Sequence, residues 1–516
     1  MIRRRPLKVD SQSNSRIRSR RLDYLVLILL LSILAYALLF SWISYSQFRS
    51  FESRVPQDMA AHNQAIWNTS QGRFLQQTVL YVGGLNHFYP ILALFAPVYR
   101  LTDHIFPLFL FYSLILASGA IAVYLVARDQ LGARHWGLLM GIFYLIYPGL
   151  HYFNLYDLKP SVLSLPLLLF SFYFWQARRL PGFLIFLVLT STTTEHVAPL
   201  IMMFGLLSWV RKRDLRWVLL PLLIGLGVLL ISMYVYVPWA SGARYKHIRS
   251  HQLFSSLNLL AWSSYKEVLS FMGLAILFLF LSWEAFILAM PYVLFGGFAV
   301  LIHPRYYFPL VGILFISLIY GLVRMTRWKA LKGRSSFPRM AMPIAACLLL
   351  AFVIFDPFLI RVQYRYSMSP SDYEAWSLIE EIPKGASVTS DPILMPALSL
   401  RQRLYEFSRK EYHGPKIDYL DVDYVLIDPQ GPHRITYFQK DFKGKARSFL
   451  EETLRDRSGF EIAATKGEWV LFRRKSKPLL PGGGLAPPSN QAAHSWARDR
   501  ERLTPCVAWG WFRLRA

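Results

Sequence analysis

The sequence has little charge and little cysteine for its length. Only 17% of its 516 residues are charged and two are cysteines, whereas 54% are hydrophobic. Soluble globular proteins contain about 25% charged residues, so a large soluble fold is disfavoured. Disorder over most of the chain is excluded, because disordered chains have low hydrophobicity. Cys347 and Cys506 lie far apart, with neither metal-motif spacing nor a disulfide framework.

Several enzyme motifs are also missing. The sequence contains no Walker A motif, no H-E-x-x-H and no G-x-S-x-G. These absences argue against an ATP-driven pump, against metalloproteases of that helix motif and against hydrolases of the nucleophile-elbow type. Acidic residues are few, 31 against 57 lysines and arginines, which gives a formal net charge of +26. In a membrane protein such an excess flanks the cytoplasmic ends of the spans, so we expect no nucleic-acid partner.

Long apolar segments account for the hydrophobic excess. The first, at 22–43, follows a basic stretch and is long enough to cross a bilayer, so we interpret it as a retained span. The whole set predicts an α-helical polytopic membrane protein with about eleven transmembrane helices. The other segments lie at 105–127, 136–149, 161–177, 183–193, 197–210, 217–238, 268–282, 285–302, 306–323 and 341–360. Those at 183–193 and 197–210 are compatible with two helices or with one bent helix.

The basic residues predict an orientation. With the N-terminus placed in the cytoplasm, the inside stretches carry 22 lysines and arginines in about 58 residues. The outside stretches carry ten in about 100 residues. The positive-inside rule therefore favours a multi-pass protein of the inner or plasma membrane with a cytoplasmic N-terminus and an outside C-terminus.

This topology divides the chain into four regions. They are a basic cytoplasmic N-terminus at 1–21, a transmembrane domain at 22–360 with a large first outside loop at 44–104, an extracytoplasmic domain at 361–475 and a tail at 476–516. The tail is rich in proline, glycine, alanine and arginine, and we expect it to be disordered.

The mixed composition of the third region predicts a small α/β domain. A helix at 371–381 is expected to begin with a capping box formed by Ser371 and Glu374. Strands are expected at 386–390 and 424–428. A hairpin is expected around Lys466-Gly467.

Ionisable residues gather in the predicted outside loops. Asp58 and His62 stand four residues apart and would share one face of a helix. This spacing is compatible with a general base or half of a metal site, or with a capping aspartate on an interfacial helix. Glu195 and His196 lie between two apolar segments, where ionisable groups are costly, which favours a functional role.

Other loops add substrate-binding candidates. Asp157 and Lys159 are compatible with a simple ion pair in solvent. The run Arg244-Tyr245-Lys246 suits a phosphate or, alternatively, lipid headgroups. The remaining candidates are His87, His303 and Arg305. No spacing of these residues selects a metal, so the cofactor stays open, with a divalent metal among the options.

The first outside loop contains three distinctive runs, Asp58-Met-Ala-Ala-His-Asn-Gln-Ala-Ile-Trp-Asn68, Gly72-Arg-Phe74 and His87-Phe-Tyr-Pro-Ile-Leu92. Together they resemble a family of prokaryotic membrane proteins, domain of unknown function 2079. Weaker similarity continues through Asn154-Leu-Tyr-Asp157, Glu195, Ile382-Pro-Lys-Gly-Ala-Ser-Val388 and Tyr424-Val-Leu-Ile-Asp428. The resemblance covers about residues 22–475.

That family in turn resembles the GT-C glycosyltransferases, multi-span enzymes that use polyprenyl-phosphate-linked sugars. The resemblance implies that a sugar is transferred on the extracytoplasmic side and that membrane lipid surrounds the protein as a partner. Asp58 matches an acidic residue near the start of their first outside loop, which implies a general base or a metal ligand. His62 and Glu195 would join it as catalytic residues. The alternative is a non-catalytic transporter or lipid-binding membrane protein.

Overall fold

The computed structural model describes residues 24–80, 85, 87–241, 276–295, 308–325, 366–407, 420–429, 442–456 and 458–475. Helices dominate up to residue 325, and a small sheet lies in the C-terminal part. The helices of the first part are α1 Tyr24–Arg49, α2 Pro56–Ser70, α3 Val98–Leu101, α4 Phe106–Leu131, α5 Arg134–Leu145, α6 Pro148–Asn154, α7 Ser164–Gln176, α8 Leu180–Ser191, α9 Ala198–Val210, α10 Leu215–Ile231, α11 Val237–Ser241, α12 Ile276–Leu281, α13 Trp283–Phe295 and α14 Phe308–Met325.

Four of the described helices are long and apolar enough to cross a membrane. They are α1, α4, α14 and the continuous helix Leu215–Ala240, which joins α10 to α11 through a π-helical turn at Ser232–Tyr236. The prediction of a helical membrane protein is confirmed at this level. The predicted segment at 341–360 lies outside the described residues, as do the predicted N-terminal region and tail.

The predicted segments at 183–193 and 197–210 form two helices rather than one bent helix. Helix α8 ends at Ser191, and a 3-10 turn at Glu195–Val197 leads into α9. Thr194 is extended, with φ of −178°, and its hydroxyl accepts a hydrogen bond from the His196 amide at 3.4 Å. This break places ionisable side chains at the start of α9.

Helices α9 and α10 pack closely through small residues. A Cβ built on Gly205 would lie 2.8 Å from the Val218 carbonyl oxygen, and one on Gly225 would lie 2.8 Å from the Ala198 carbonyl oxygen. Because Gly205 and Gly225 have only a hydrogen atom as side chain, the two helix backbones can approach closely, as is common between membrane helices.

The Gly225→Ala variant is expected to lower the free energy of unfolding by about 1–3 kcal/mol, because its methyl group would overlap Met202 and the α9 backbone. A Cβ on Gly227 would meet nothing within 4 Å, so Gly227→Ala on the same helix should be neutral or slightly stabilising. Equilibrium unfolding of the purified protein in mixed micelles measures both. Equal effects of the two substitutions would contradict this account of the packing.

A buried ion-pair network lies at the other end of α9. Glu284, at the start of α13, is fully buried and binds the guanidinium groups of Arg211 and Arg324. The Arg324–Glu284 distance is 2.5 Å. The Arg211 guanidinium also stacks over the Trp283 ring at 4.7 Å. One carboxylate therefore serves two cations that come from the ends of α9 and α14.

The C-terminal part is the small α/β unit that the sequence predicts. Its sheet has the order β2-β1-β3-β5-β4, in which β1 is parallel to β2 and β3, and β3 is antiparallel to β5. The elements are α15 Pro370–Glu381, β1 Val388–Ser390, β2 Leu404–Glu406, β3 Tyr424–Ile427, α16 Phe442–Leu454, β4 Phe460–Lys466 and β5 Trp469–Arg474. Strands β4 and β5 form the predicted hairpin.

The predicted cap of α15 is wrong by two residues. The capping box is formed by Ser369 and Asp372, since Asp372 accepts from the Ser369 amide at 2.7 Å and its own amide donates to the Ser369 hydroxyl. Pro370 occupies the first turn, where the missing N–H costs nothing. Ser371 instead donates a hydrogen bond to Glu468.

Candidate functional site

Asp58 stands in the first turn of α2 and faces the loop that follows α6. Its carboxylate pairs with the ammonium group of Lys159 at 3.2 Å. The Asp58 side chain is 28% exposed and that of Lys159 is 11% exposed. The pair therefore holds a carboxylate at a fixed position that a substrate can still reach.

Asp157 does not pair with Lys159, so that interpretation of the loop is wrong. Its carboxylate accepts hydrogen bonds from the Ser53 hydroxyl at 2.7 Å and from the amides of Arg54 and Val55 at 3.2 and 2.7 Å. Asp157 has a φ of 57°, a left-handed conformation that aspartate tolerates better than most residues. These hydrogen bonds hold the backbone just before α2 and thereby position Asp58.

His62 lies one helical turn after Asp58, as the spacing predicts. Its Nδ1 lies 2.9 Å from the Leu158 carbonyl oxygen, which places the proton of the neutral ring on Nδ1 and leaves Nε2 as the basic nitrogen. The side chain is 3% exposed. Burial lowers the pKa of His62 to about 4, and the charge of Asp58 opposes this shift only in part.

This low pKa predicts a stability that falls in mild acid. The unfolded chain binds a proton at His62 near pH 6.5, whereas the folded chain binds it only near pH 4. Acidification between these values therefore favours unfolding. From about pH 7 to about pH 5, we expect the free energy of unfolding to fall by about 2 kcal/mol more in the wild type than in His62→Gln. Parallel unfolding curves for the two proteins would contradict this.

A second group of ionisable side chains surrounds Glu195. Its Oε1 lies 2.6 Å from His87 Nδ1 and 3.8 Å from His196 Nε2, and its Oε2 accepts from the Phe88 amide at 3.0 Å. The ligand atoms of the three side chains all lie within 4.8 Å of one another. Among the described residues, these side chains have the arrangement that best suits a metal ion.

The electrostatics of this group favour an ionised Glu195. Burial alone would raise the pKa of its carboxyl, since the side chain is 3% exposed. The charges of His87 and His196, and the hydrogen bonds from His87 and the Phe88 amide, outweigh burial and hold the pKa well below its usual range. A permanent carboxylate between two imidazoles can bind a cation or orient either ring for proton transfer.

Tyr89 joins the two groups into one site. Its ring centroid lies 5.3 Å from that of His62, in an edge-to-face contact, and 5.5 Å from that of His87. The structure thus brings together six of the predicted residues: Asp58, His62, His87, Lys159, Glu195 and His196. Asp157 lies beside them in its positioning role.

The C-terminal unit contacts the same helix. The Asn63 side chain of α2 donates to the Ser399 hydroxyl at 2.7 Å, and that of Gln64 donates to the Arg401 carbonyl at 2.8 Å. Thr78 accepts a hydrogen bond from the Leu404 amide at the start of β2, at 2.9 Å. The face of α2 next to Asp58 and His62 is therefore held by residues more than 300 positions later in the chain.

Five predicted site residues lie outside the described part of the chain. They are Arg244, Tyr245, Lys246, His303 and Arg305. Two residues were missed by the sequence reasoning, namely Tyr89 and Tyr236, whose ring packs edge-to-face on that of Phe88 at 5.2 Å. Tyr89 stands inside one of the quoted family runs. Tyr236 lies in a long apolar segment that gave no signal of a polar role.

Comparison with known proteins identifies a family for this chain, whereas no curated protein matches it. The family described as predicted membrane protein (DUF2079) matches residues 56–470, which is most of the chain and includes every residue of the site described above. This match confirms the resemblance drawn from Asp58-Met-Ala-Ala-His62 and the runs that follow it. The chain therefore belongs to the family of membrane proteins defined by domain of unknown function 2079.

Proposed function

We propose that the protein is a membrane glycosyltransferase that moves a hexose or pentose from a polyprenyl-phosphate donor to an acceptor hydroxyl. The observation that carries the proposal is the partly exposed Asp58 carboxylate, held by Lys159 in a loop site between apolar helices. Carboxylates in such positions serve as general bases for hydroxyl groups.

The reaction assigns a separate task to each residue. Asp58 accepts the proton of the acceptor hydroxyl while that oxygen attacks the anomeric carbon of the sugar. The bond between the anomeric carbon and the phosphate oxygen breaks, and polyprenyl phosphate leaves. Lys159 orients the base. His62, whose Nε2 is basic, and Glu195 organise the acceptor side of the site.

Other residues are proposed to bind the lipid chain and the phosphate of the donor. The apolar helical segment Pro90–Leu101, made of a 3-10 helix at Pro90–Phe95 and of α3, follows Tyr89 directly. An isoprenoid chain would therefore meet apolar surface next to the polar groups. Arg244 and Lys246, with Tyr245 between them, are proposed to neutralise the leaving phosphate, and His303 and Arg305 to add to its binding. About eleven spans, a cytoplasmic N-terminus and an extracytoplasmic site complete the proposed topology.

The assay that tests the proposal uses the full chain in lipid nanodiscs. A panel of polyprenyl-phosphate hexoses and pentoses, radiolabelled in the sugar, is supplied together with an extract of envelope glycans and lipids. We expect release of polyprenyl phosphate and appearance of label in the acceptor fraction with at least one donor. Binding of the lipid-linked sugars without release of lipid phosphate from any of them would instead favour the non-catalytic transporter or lipid-binding protein.

A further inference from the structure

We infer that His87, Glu195 and His196 form a binding site for one Zn²⁺ ion or a similar divalent transition metal. Their ligand atoms lie within 4.8 Å of one another. Two imidazole nitrogens and one carboxylate oxygen form the ligand set of many catalytic zinc sites, which keep a fourth position for water or substrate. Magnesium and calcium prefer oxygen ligands, so this set selects against them.

The local backbone holds the side chains of His87, Glu195 and His196 in position. Glu195 and His196 are adjacent in the 3-10 turn that begins at Thr194, and the Ile91 amide donates to the Thr192 carbonyl at 3.1 Å, which ties this turn to the segment after His87. The Phe88 amide fixes one oxygen of Glu195 and leaves the other between the two imidazoles. Such outer contacts orient ligands in known metal sites.

Access and burial also suit an ion. Glu195 is nearly inaccessible, with 3% of its side chain exposed, whereas His196 is 31% exposed. The carboxylate therefore lies in a region of weak screening, and the imidazole side remains open for entry and for an exchangeable fourth ligand.

A separate observation points to that fourth ligand. Tyr236 is 8% exposed, and its hydroxyl has no hydrogen-bond partner among the described residues. Its ring packs edge-to-face on Phe88 at 5.2 Å, and the Phe88 amide in turn donates to Glu195. Tyr236 also ends a π-helical turn, a feature frequent at functional sites. Buried polar groups are normally paired, and a metal-bound water would supply the missing partner.

The binding test uses the untagged full chain in detergent and needs no sugar substrate. After removal of metals by a chelator, we expect the wild type to bind about one Zn²⁺ per chain, and Co²⁺ to give the visible absorption bands of a four- or five-coordinate ion. His196→Gln keeps the His87–Glu195 contact and should weaken Zn²⁺ binding more than about 100-fold. Tyr236→Phe should weaken it by about 10-fold, the lower end of the loss expected of an outer contact.

The matched control is His104→Gln, which removes an exposed histidine whose ring contacts Tyr45 and accepts a hydrogen bond from the Phe106 amide at 3.2 Å. This variant should bind Zn²⁺ as the wild type does. The inference is overturned if the wild type binds less than a stoichiometric amount, or if His196→Gln and His104→Gln bind equally well. Metal bound without sugar transfer would leave the site standing and overturn the transferase. Full sugar transfer by the metal-free protein, with no Zn²⁺ uptake, would overturn the metal site and leave the transferase standing.

Discussion

The Asp58→Asn variant is expected to lose at least about 100-fold in the rate of sugar transfer while keeping its fold and its affinity for the lipid donor. Asparagine has nearly the shape of aspartate but cannot take up the acceptor's proton, and general-base catalysis contributes about 10²–10⁴-fold to such rates. Initial rates of lipid-phosphate release, measured with saturating donor in nanodiscs, give the comparison.

The control for this prediction is Asp103→Asn in the same loop. Asp103 is 58% exposed and pairs with Lys384 at 2.6 Å, so its loss should leave the rate unchanged. Unfolding curves of both variants should match that of the wild type within about 1 kcal/mol, because Asp58 is partly exposed as well. Wild-type activity in Asp58→Asn would remove the general base from the proposal.

The Glu284→Gln variant is expected to lose about 2 kcal/mol of unfolding free energy, less than a fully buried pair would, because Arg211 and Arg324 are 43% and 27% exposed. The substitution keeps the volume of the side chain but leaves Arg211 and Arg324 without their shared negative charge next to a fully buried position. The cost arises at Glu284, whose position stays desolvated while the ionic hydrogen bonds that compensated its burial are lost, whereas both arginines keep part of their hydration. Equilibrium unfolding in mixed micelles measures the loss.

The matched control here is Asp214→Asn, which breaks an exposed pair. Asp214 is 73% exposed and Arg216 is 64% exposed, so this change should cost less than about 0.5 kcal/mol. Adding Arg211→Gln to Glu284→Gln should recover part of the loss, since one uncompensated charge is removed. Equal costs of Glu284→Gln and Asp214→Asn would show that the network contributes no more than a surface pair.

The parts of the fold that local sequence determines were predicted well. The spacing of Asp58 and His62 placed both on one face of α2, because a helix repeats every 3.6 residues. The strands β1 and β3 and the hairpin at Gly467 followed from apolar runs and a turn signal. The sequence left open whether 183–193 and 197–210 form two helices or one bent helix, and the structure decides for two, with a 3-10 turn at Glu195–Val197 between them.

The parts that depend on distant contacts were not predicted. The partners of Asp157 lie 102 to 104 residues earlier in the chain, so proximity in sequence suggested Lys159 instead. The contact between Tyr236 and Phe88 joins segments about 150 residues apart, which a run of apolar residues does not reveal. The cap at Ser369 was missed for a local reason, because Pro370 at the first helical position is itself a start signal.

The contacts between α2 and the C-terminal unit can form only late in the synthesis of the protein. Asn63 and Gln64 leave the ribosome more than 330 residues before Ser399 and Arg401, their hydrogen-bond partners. Until those partners have been made, Asn63 and Gln64 can bond to Tyr99 and Thr78, but their amide donors lack the acceptors that Ser399 and Arg401 later supply. A nascent or truncated chain would therefore insert its early helices while its site stays unfinished. Synthesis of the C-terminal part would therefore be the step that completes these contacts.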